Sequence, residues 1–280
     1  MTIDEGDVLK LFVYDNELIS TLNNVLEGAI REYLTALMYP GRYFTIRVNT
    51  HLTSTDRIVN YFTKMGYETK THQLFDEVVL VETKGPFEVP IEDRIIVADK
   101  YAAESVYQGA NLYIPGIISI DPLVRRGDNV TISAPNGFSV GWGISHVNAG
   151  DIGKVRKGLA VTTLISRFKL PKIRELDIYH KGYIYNQSIP AIIASRELNP
   201  KPDEVIVDMC AAPGGKTTHI AILSRCQAKV IAVDHSQKRI KRMVEEIKRM
   251  KLKNITCLLY TSDAADDGES VDFGGRRIIK

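Results

Sequence analysis

The run Val205-Ile-Val-Asp208 is short, continuously apolar and ends in an acid, and it leads directly into Met-Cys-Ala-Ala-Pro-Gly-Gly-Lys-Thr-Thr-His-Ile220. No other segment restricts the fold as much. A strand buried on both faces, a tight glycine turn and a helix start in immediate succession form the first crossover of a parallel α/β sheet. Gly214 and Gly215 let the backbone bend sharply and let a ligand approach it, while the free N–H groups at the helix start favour polar or negative ligand groups. A second apolar strand, Val230-Ile-Ala-Val233, ends in Asp234, nineteen residues after Gly215. An acid at that distance accepts hydrogen bonds from the hydroxyls of a bound ribose. The helix expected from Ser236 to Met250 carries Ile240, Met243, Val244 and Ile247 on one face.

A strand–glycine–helix turn by itself is as readily a structural crossover; Asp234 shifts the balance toward a nucleoside site. Gly215-Lys216-Thr217 is also the end of a nucleotide phosphate loop, but that motif needs a glycine where this chain has Cys210.

Upstream, apolar residues at Leu18, Leu22, Val25, Leu26, Ile30, Tyr33, Leu34 and Leu37 predict one core helix from Asn16 to Leu37. A strand at Phe44–Val48, a helix at Thr53–Met65 and a strand at Val78–Val81 make a small α/β unit, closed by the turns around Lys84-Gly85-Pro86 and Pro90–Asp93. From Ile95 to Phe168 short β-type runs and glycines predict a small barrel with one helix, Ala98–Tyr107. A further helix is expected over Ser188–Glu197.

The string Asp208-Met-Cys-Ala-Ala-Pro-Gly-Gly-Lys-Thr217 resembles the cofactor-binding motif of the Nol/Nop/Sun family of RNA (cytosine-5) methyltransferases. A barrel resembling a PUA domain ahead of the methyltransferase core is similar to the tRNA-methylating branch of that family. Phe44–Thr50, Gly109–Ile117 and Gly141–Ser145 resemble matching segments of it, so the likeness spans roughly residues 16–256. The resemblance implies an α/β Rossmann-like methyltransferase, here truncated after about two strands, with an inserted PUA-like β-barrel. The implied layout is an N-terminal α/β region over 1–93, an RNA-binding barrel over 94–168, the start of the S-adenosylmethionine-binding domain over 169–256 and a tail over 257–280.

By the same resemblance, Cys210, Ala211, Ala212, Pro213, Gly214, Gly215 and Lys216 line the S-adenosylmethionine site and Asp234 holds the ribose. The family's attacking cysteine lies in a Thr-Cys motif and a second cysteine in an Asp-Ala-Pro-Cys motif. Neither motif is expected anywhere in this chain, so no catalytic residue is assigned and the chain as it stands is expected to be inactive. The chemistry requires a thiolate that adds to pyrimidine C6 and makes C5 nucleophilic toward the sulfonium methyl.

RNA, and specifically tRNA, is the expected partner. Between Ile152 and Arg174 seven basic residues stand without an acid, although the whole chain carries a formal charge of only +2. Lys154, Arg156, Lys157, Arg167 and Lys169 are candidate phosphate contacts, and Tyr101, Tyr107, Tyr113 and Trp142 candidate stacking platforms. Barrel aromatics are more often core, and a basic run is often a solvated face. The same choice applies to the eight Lys and Arg over residues 236–253. Arg47 and Asn49 are candidates for an RNA or active-site cleft, or for plain strand-end hydrogen bonding.

The three cysteines, Cys210, Cys226 and Cys257, have no metal-type spacing and suit a reducing compartment; Cys226 reads as a structural core thiol. The acidic Met1–Asp7 start is unlike a targeting peptide, and no apolar run approaches a membrane span, so a cytoplasmic or nuclear protein, monomeric when intact, without metal or membrane, is expected. From Cys257 the tail resembles an in-frame translation of sequencing-adapter DNA, apart from Phe273, and reads as non-native and poorly ordered. A sheet stopped there leaves an open edge and predicts poor solubility. Two rival readings stand beside the methyltransferase: a stand-alone RNA-binding protein with a vestigial loop, and a different Rossmann-type nucleoside binder.

Overall fold

The computed structural model describes residues 15–260 and two short strands further on, Ser270–Val271 and Arg277–Ile278, which pair antiparallel. The acidic first residues and the rest of the expected tail beyond Tyr260 lie outside the described residues. The chain forms two compact units, each made of two stretches: the residues up to Arg42 with Thr83–Lys172, and Tyr43–Glu82 with Ile173 onward.

In the first unit, the single helix expected over 16–37 is two: α1 (Asn16–Val25) and α2 (Ile30–Leu37). Glu27 and Gly28 both take left-handed backbone conformations, with φ of 51° and 91°, and break the run. Nor is the stripe a core stripe. α1 buries no residue, and only Ile30 and Leu34 are buried, against Ile19, Leu22, Leu26 and Met38.

The barrel part contains β4 (Ile95–Ala98), α3 (Lys100–Tyr107), β5 (Leu112–Tyr113), β6 (Ile117–Ile120), β7 (Asn129–Ser133), β8 (Ser139–Ser145) and β9 (Leu159–Ser166). The sheet order is β5-β9-β8-β7-β4-β6. Its two edge strands, β5 and β6, are consecutive in the chain and joined by the single 3₁₀ turn Ile114–Gly116. Such a turn spans only roughly 6 Å, so the sheet curls until its edges nearly meet. Asp99 caps α3 by accepting the Ala102 N–H at 2.8 Å. Ala103 and Val106 on α3 are buried with Ile96, Leu112, Ile132, Val140 and Val161 in one cluster.

The second unit holds two sheets. The first has the order β10-β1-β3-β2, from β1 (Tyr43–Val48), β2 (Thr69–Thr71), β3 (Val78–Glu82) and β10 (Ile184–Asn186), all antiparallel. β1 is thus paired on one side by a strand that arrives well over a hundred residues later. For that reason the region expected to run from 1 to 93 is divided between the units, and the barrel is an insertion between β3 and β10. On one face, Ile46, Val48, Val79, Val81 and Ile184 pack with Ile58 and Phe62 of the helix α4 (Thr55–Lys64). By strand alternation Arg47 points to the other face.

The second sheet, β11-β12-β13, is parallel: β11 (Val205–Asp208), β12 (Lys229–Asp234) and β13 (Ile255–Leu259). It has three strands, one more than expected, because Cys257–Leu259 continue the ladder beside Ala232–Asp234. The crossovers are α5 (Gly215–Leu223) and α6 (Gln237–Arg249), with Ala221, Val230, Ala232, Ile240, Met243 and Cys257 in the shared core. On the other face of edge strand β11, Val205 and Val207 are exposed. The helix α7 (Ile189–Glu197) precedes β11 and packs against α5.

Among the described residues no helix is long and apolar enough to cross a membrane, and no cluster of three or more His, Cys, Asp or Glu is placed to hold a metal.

Candidate functional site

Asp208 and Asp234 end two neighbouring parallel strands, at the carboxyl edge where open α/β sheets place their ligands. Asp208 accepts the Thr217 hydroxyl at 2.8 Å and the Cys210 N–H at 3.3 Å, which ties the loop's two ends together. Gly214 is the N-cap of α5 with φ of 100°, a conformation costly for any residue with a Cβ. A Cβ there would also sit 2.8 Å from Met243 Cγ. The first-turn N–H groups of α5 have no intrahelical acceptor and form the positive end of the helix.

Asp234 is 3% exposed. One carboxylate oxygen accepts the Ala212 N–H at 3.1 Å and the other the Ser236 N–H at 3.0 Å. Each oxygen retains lone-pair capacity for a further donor. Arg239 lies over the same group, its Nη2 at 3.4 Å from Asp234 Oδ2 and donating to the Ala212 carbonyl. Along the loop, Cys210, Pro213 and Lys216 are exposed, Gly215 is half-buried, and Ala211, Ala212 and Gly214 are buried. The eight positions named from the sequence therefore gather around one strand edge.

A nucleoside with a positively charged sulfonium fits this donor set: an acid for the ribose, a glycine that admits close approach, and helix N–H groups for polar substituents. Sequence reasoning ended the motif at Thr217 without giving a role to the hydroxyl, which holds the loop closed, and did not single out Arg239. Their signal was present, a hydroxyl nine residues after Asp208 and a guanidinium five residues after Asp234.

Arg47 and Asn49 correct an expectation. Both are fully buried and hydrogen-bonded internally, and neither is on a surface open to RNA. Arg47 donates to the Gly215 carbonyl and the Thr218 hydroxyl, each at 2.8 Å, and lies over the Tyr185 ring, 5.0 Å from its centroid. Burial lowers its pKa to about 9, which leaves it charged at neutral pH. Asn49 donates to the carbonyls of Gly182 and Met250, each at 3.0 Å.

A second buried cluster was invisible in the sequence. Glu77 receives His219 Nε2 at 3.0 Å and a fork from Arg196, whose Nε is 2.9 Å from Oε1. Burial alone would raise the Glu77 carboxyl, but these donors hold it well below the usual carboxylate range. Burial pushes His219 down to about 4, against the pull of Glu77, so the imidazole is neutral and donates from Nε2.

The Thr-Cys dipeptide does occur once, at Thr256-Cys257, contrary to expectation. It offers no nucleophile, because Cys257 is buried in the apolar core within β13. Cys226 is partly buried beside the same core, and burial raises its thiol pKa.

In the barrel, β9 separates the basic run into two groups. Lys154, Arg156 and Lys157 are exposed just before it; half-buried Arg167 and exposed Lys169 follow it. Eight residues of strand put roughly 25 Å between them. Tyr113 is half exposed and pairs with Leu159, at the end where Lys157 lies. Tyr101 is exposed as well. Tyr107 donates its hydroxyl to the Met38 carbonyl at 2.7 Å and Trp142 its indole N–H to Glu92 at 2.9 Å, so these two serve the fold. On α6, Arg249 is held by Glu246, the Ile184 carbonyl and the face of Tyr179, whereas Lys238, Lys241, Arg242 and Lys248 are exposed.

Comparison with known proteins agrees with this geometry. Residues 195–273 match the family 16S rRNA methyltransferase RsmB/F, and residues 94–164 match the PUA domain. The tRNA (cytosine(72)-C(5))-methyltransferase of Pyrococcus horikoshii is 41% identical over 222 residues, covering 78% of this chain and 57% of that protein. The chain carries a Sun-family methyltransferase domain and a PUA domain. The human tRNA (cytosine(72)-C(5))-methyltransferase NSUN6 is 27% identical over 284 residues, covering 92% of this chain and 60% of its own length. The chain thus spans somewhat over half the length of these relatives. The crystal structure of NSun6 from Pyrococcus horikoshii with SFG matches with a TM-score of 0.78 and 38% identity, over 88% of this chain and 65% of that one. The Sun-family domain holds the Asp208–Thr217 loop and Asp234; the PUA domain holds β4 to β9.

Proposed function

We propose that this chain binds S-adenosylmethionine on the Asp208–Thr217 loop with Asp234, and binds RNA through its PUA domain. The activity that this pair of domains serves is methyl transfer to cytosine C5 in tRNA, the substrate class for which the archaeal and human relatives are named. The observation that carries the reading is the buried Asp234 carboxylate at the end of the middle strand, hydrogen-bonded to the Ala212 N–H of the glycine loop. When bound, S-adenosylmethionine supplies an electrophilic methyl group. The chain's own residues bind and orient: Asp234 accepts ribose hydroxyls, Gly214 admits the ligand to the backbone, and the first turn of α5 offers N–H groups. Lys154, Arg156 and Lys157 with Tyr113 form the more coherent RNA-binding patch, charge beside a stacking ring. Arg167 and Lys169 form a second, lesser one.

The 280-residue chain alone is not expected to turn over. Cys257 is buried, Cys226 is partly buried with a raised pKa, and Cys210 lies in the cofactor loop.

Isothermal titration of the full chain with S-adenosylmethionine tests the reading, with Asp234→Ala as the negative control. Binding to the unaltered chain and a loss of at least about tenfold in the variant support it. Salt-sensitive RNA affinity without cofactor binding would favour a stand-alone RNA-binding protein, the reading encouraged by Arg239 lying across Asp234. Displacement of S-adenosylmethionine by dinucleotides would instead indicate a different nucleoside binder.

A further inference from the structure

Arg47 is a buried cation placed behind the cofactor loop, on a strand 168 residues away from it in sequence. Its backbone is fixed from both sides, opposite Tyr185 on β10 and Val78 on β3. The guanidinium then reaches the two glycines of the loop by two routes. Nη1 donates directly to the Gly215 carbonyl at 2.8 Å. Nη2 donates to Thr218 Oγ1 at 2.8 Å, and that hydroxyl donates onward to the Gly214 carbonyl at 2.7 Å. Tyr185 completes the support: a Cβ on Gly215 would stand 3.4 Å from its ring, which also lies against the Arg47 guanidinium.

The direction of these bonds matters. Both glycine carbonyls are engaged from the inner side of the first helical turn, so the N–H groups, which point the opposite way along the helix axis, are held toward the ligand side. A charged donor shared between two carbonyl routes fixes that turn more firmly than neutral donors would. Burying a guanidinium is costly, and a lysine in its place supplies only a point charge that cannot span both acceptors.

We propose that Arg47 is a positioning residue of the cofactor site: through Gly215 and the Thr218 relay to Gly214 it sets the loop backbone that S-adenosylmethionine contacts. This rests on the cofactor reading above. It assigns to Arg47 a role that needs no contact with RNA or with the reacting atoms.

The test is S-adenosylmethionine affinity of the full chain by isothermal titration, well below each variant's melting temperature, for the unaltered protein, Arg47→Met, Arg47→Lys, Thr218→Val and the Arg47→Met/Thr218→Val pair. Asn49→Ala is the stability control, because the Asn49 side chain, just past the end of β1, is also buried but donates only to the Gly182 and Met250 carbonyls. Expected are a loss of about tenfold or more for Arg47→Met, a partial rescue in Arg47→Lys, and a loss of several-fold for Thr218→Val. The double variant should bind no more weakly than Arg47→Met, since both changes cut one relay. Asn49→Ala should melt earlier yet bind within about twofold of the unaltered chain. If the unaltered chain binds and Arg47→Met binds equally well, the positioning role is overturned while the cofactor site stands. Should Arg47→Met fail to fold, Thr218→Val decides, because it cuts the relay to Gly214 while leaving the guanidinium on the Gly215 carbonyl; unchanged affinity there overturns the proposal. An unaltered chain that binds no S-adenosylmethionine overturns both readings.

Discussion

Glu77 and His219, 142 residues apart in sequence, meet in the core of the second unit through a 3.0 Å hydrogen bond from Nε2 to Oε1. Both are buried, and Arg196 closes the other side of the carboxylate. The pair joins the turn ahead of β3 to the helix that begins at the cofactor loop.

That relationship makes the fold acid-sensitive. Below pH 6.5 the unfolded chain takes up a proton on His219 that the folded chain refuses until about pH 4. Below about 4.5 the same holds for Glu77, whose folded carboxyl is also depressed. Stability is therefore complete above pH 6.5 and falls as the pH drops toward 4. The slope from His219 is up to about 1.4 kcal/mol per pH unit, on the order of 3 kcal/mol in all. Urea unfolding across this range checks it, and His219→Gln should flatten the upper part of the profile. A flat profile in the unaltered chain would contradict the buried neutral imidazole.

Gly214→Ala is expected to destabilise the second unit by about 1–3 kcal/mol, because it adds a Cβ at a φ of 100° and against Met243. Met243→Ala removes a core side chain and by itself costs about 2–5 kcal/mol, but it relieves the contact, so the double variant should be less destabilised than the sum of the two single changes. Thermal melts of the single and double variants measure this coupling; strict additivity would mean that only the backbone strain mattered.

RNA affinity should fall steeply with salt if Lys154, Arg156 and Lys157 touch phosphates. Replacing all three with alanine is expected to lower the slope of log Kobs against log salt by roughly 2. Replacing Arg167 and Lys169, beyond the other end of β9, should change it less. Tyr113→Ala should weaken binding by about 1–3 kcal/mol if the exposed ring stacks on a base. Equal effects at both ends would refute the division. Fluorescence anisotropy with a tRNA acceptor stem at several salt concentrations supplies the numbers.

Thiol labelling should distinguish the three cysteines. Cys210 is exposed, Cys226 intermediate and Cys257 buried, so they should react in that order, with Cys257 protected until unfolding. Saturating S-adenosylmethionine should slow Cys210 alone. Mass spectrometry of the labelled peptides reads the order directly, and unprotected Cys210 would place the ligand elsewhere.

The cofactor loop was legible because its signals are local. An apolar strand, a glycine that must adopt a left-handed conformation and an acid at the next strand's end lie within thirty residues of each other, and physics acts on them as neighbours; the expected burial of that strand on both faces did not follow, because β11 is a sheet edge with Val205 and Val207 exposed. The barrel was legible for the same reason, as a series of short β runs. The break between α1 and α2 was hidden in the sequence because the apolar spacing continues across Glu27 and Gly28, while the turn depends on their backbone conformations. Strand β13 was expected only to begin near Thr256, because Cys257–Leu259 were grouped with the tail, although they pair with β12 residue for residue.

The sequence by itself determined the chemistry on offer: a glycine loop after an apolar strand with Asp234 at the end of the next, a PUA-type barrel with basic residues and exposed tyrosines, and no cysteine in an Asp-Ala-Pro-Cys setting. Tertiary structure alone decided the use of the remaining charges. Arg47 sits in a short strand whose face is set by its pairing with β3 and β10, and only that pairing turns it inward onto Gly215 and Thr218. Glu77 and His219 become a buried pair, closed by the partly exposed Arg196, only when the strands and helices that bear them pack. A charge near a strand end has no preferred destination in sequence, because the cost of burying it is set by partners that the chain brings from far away.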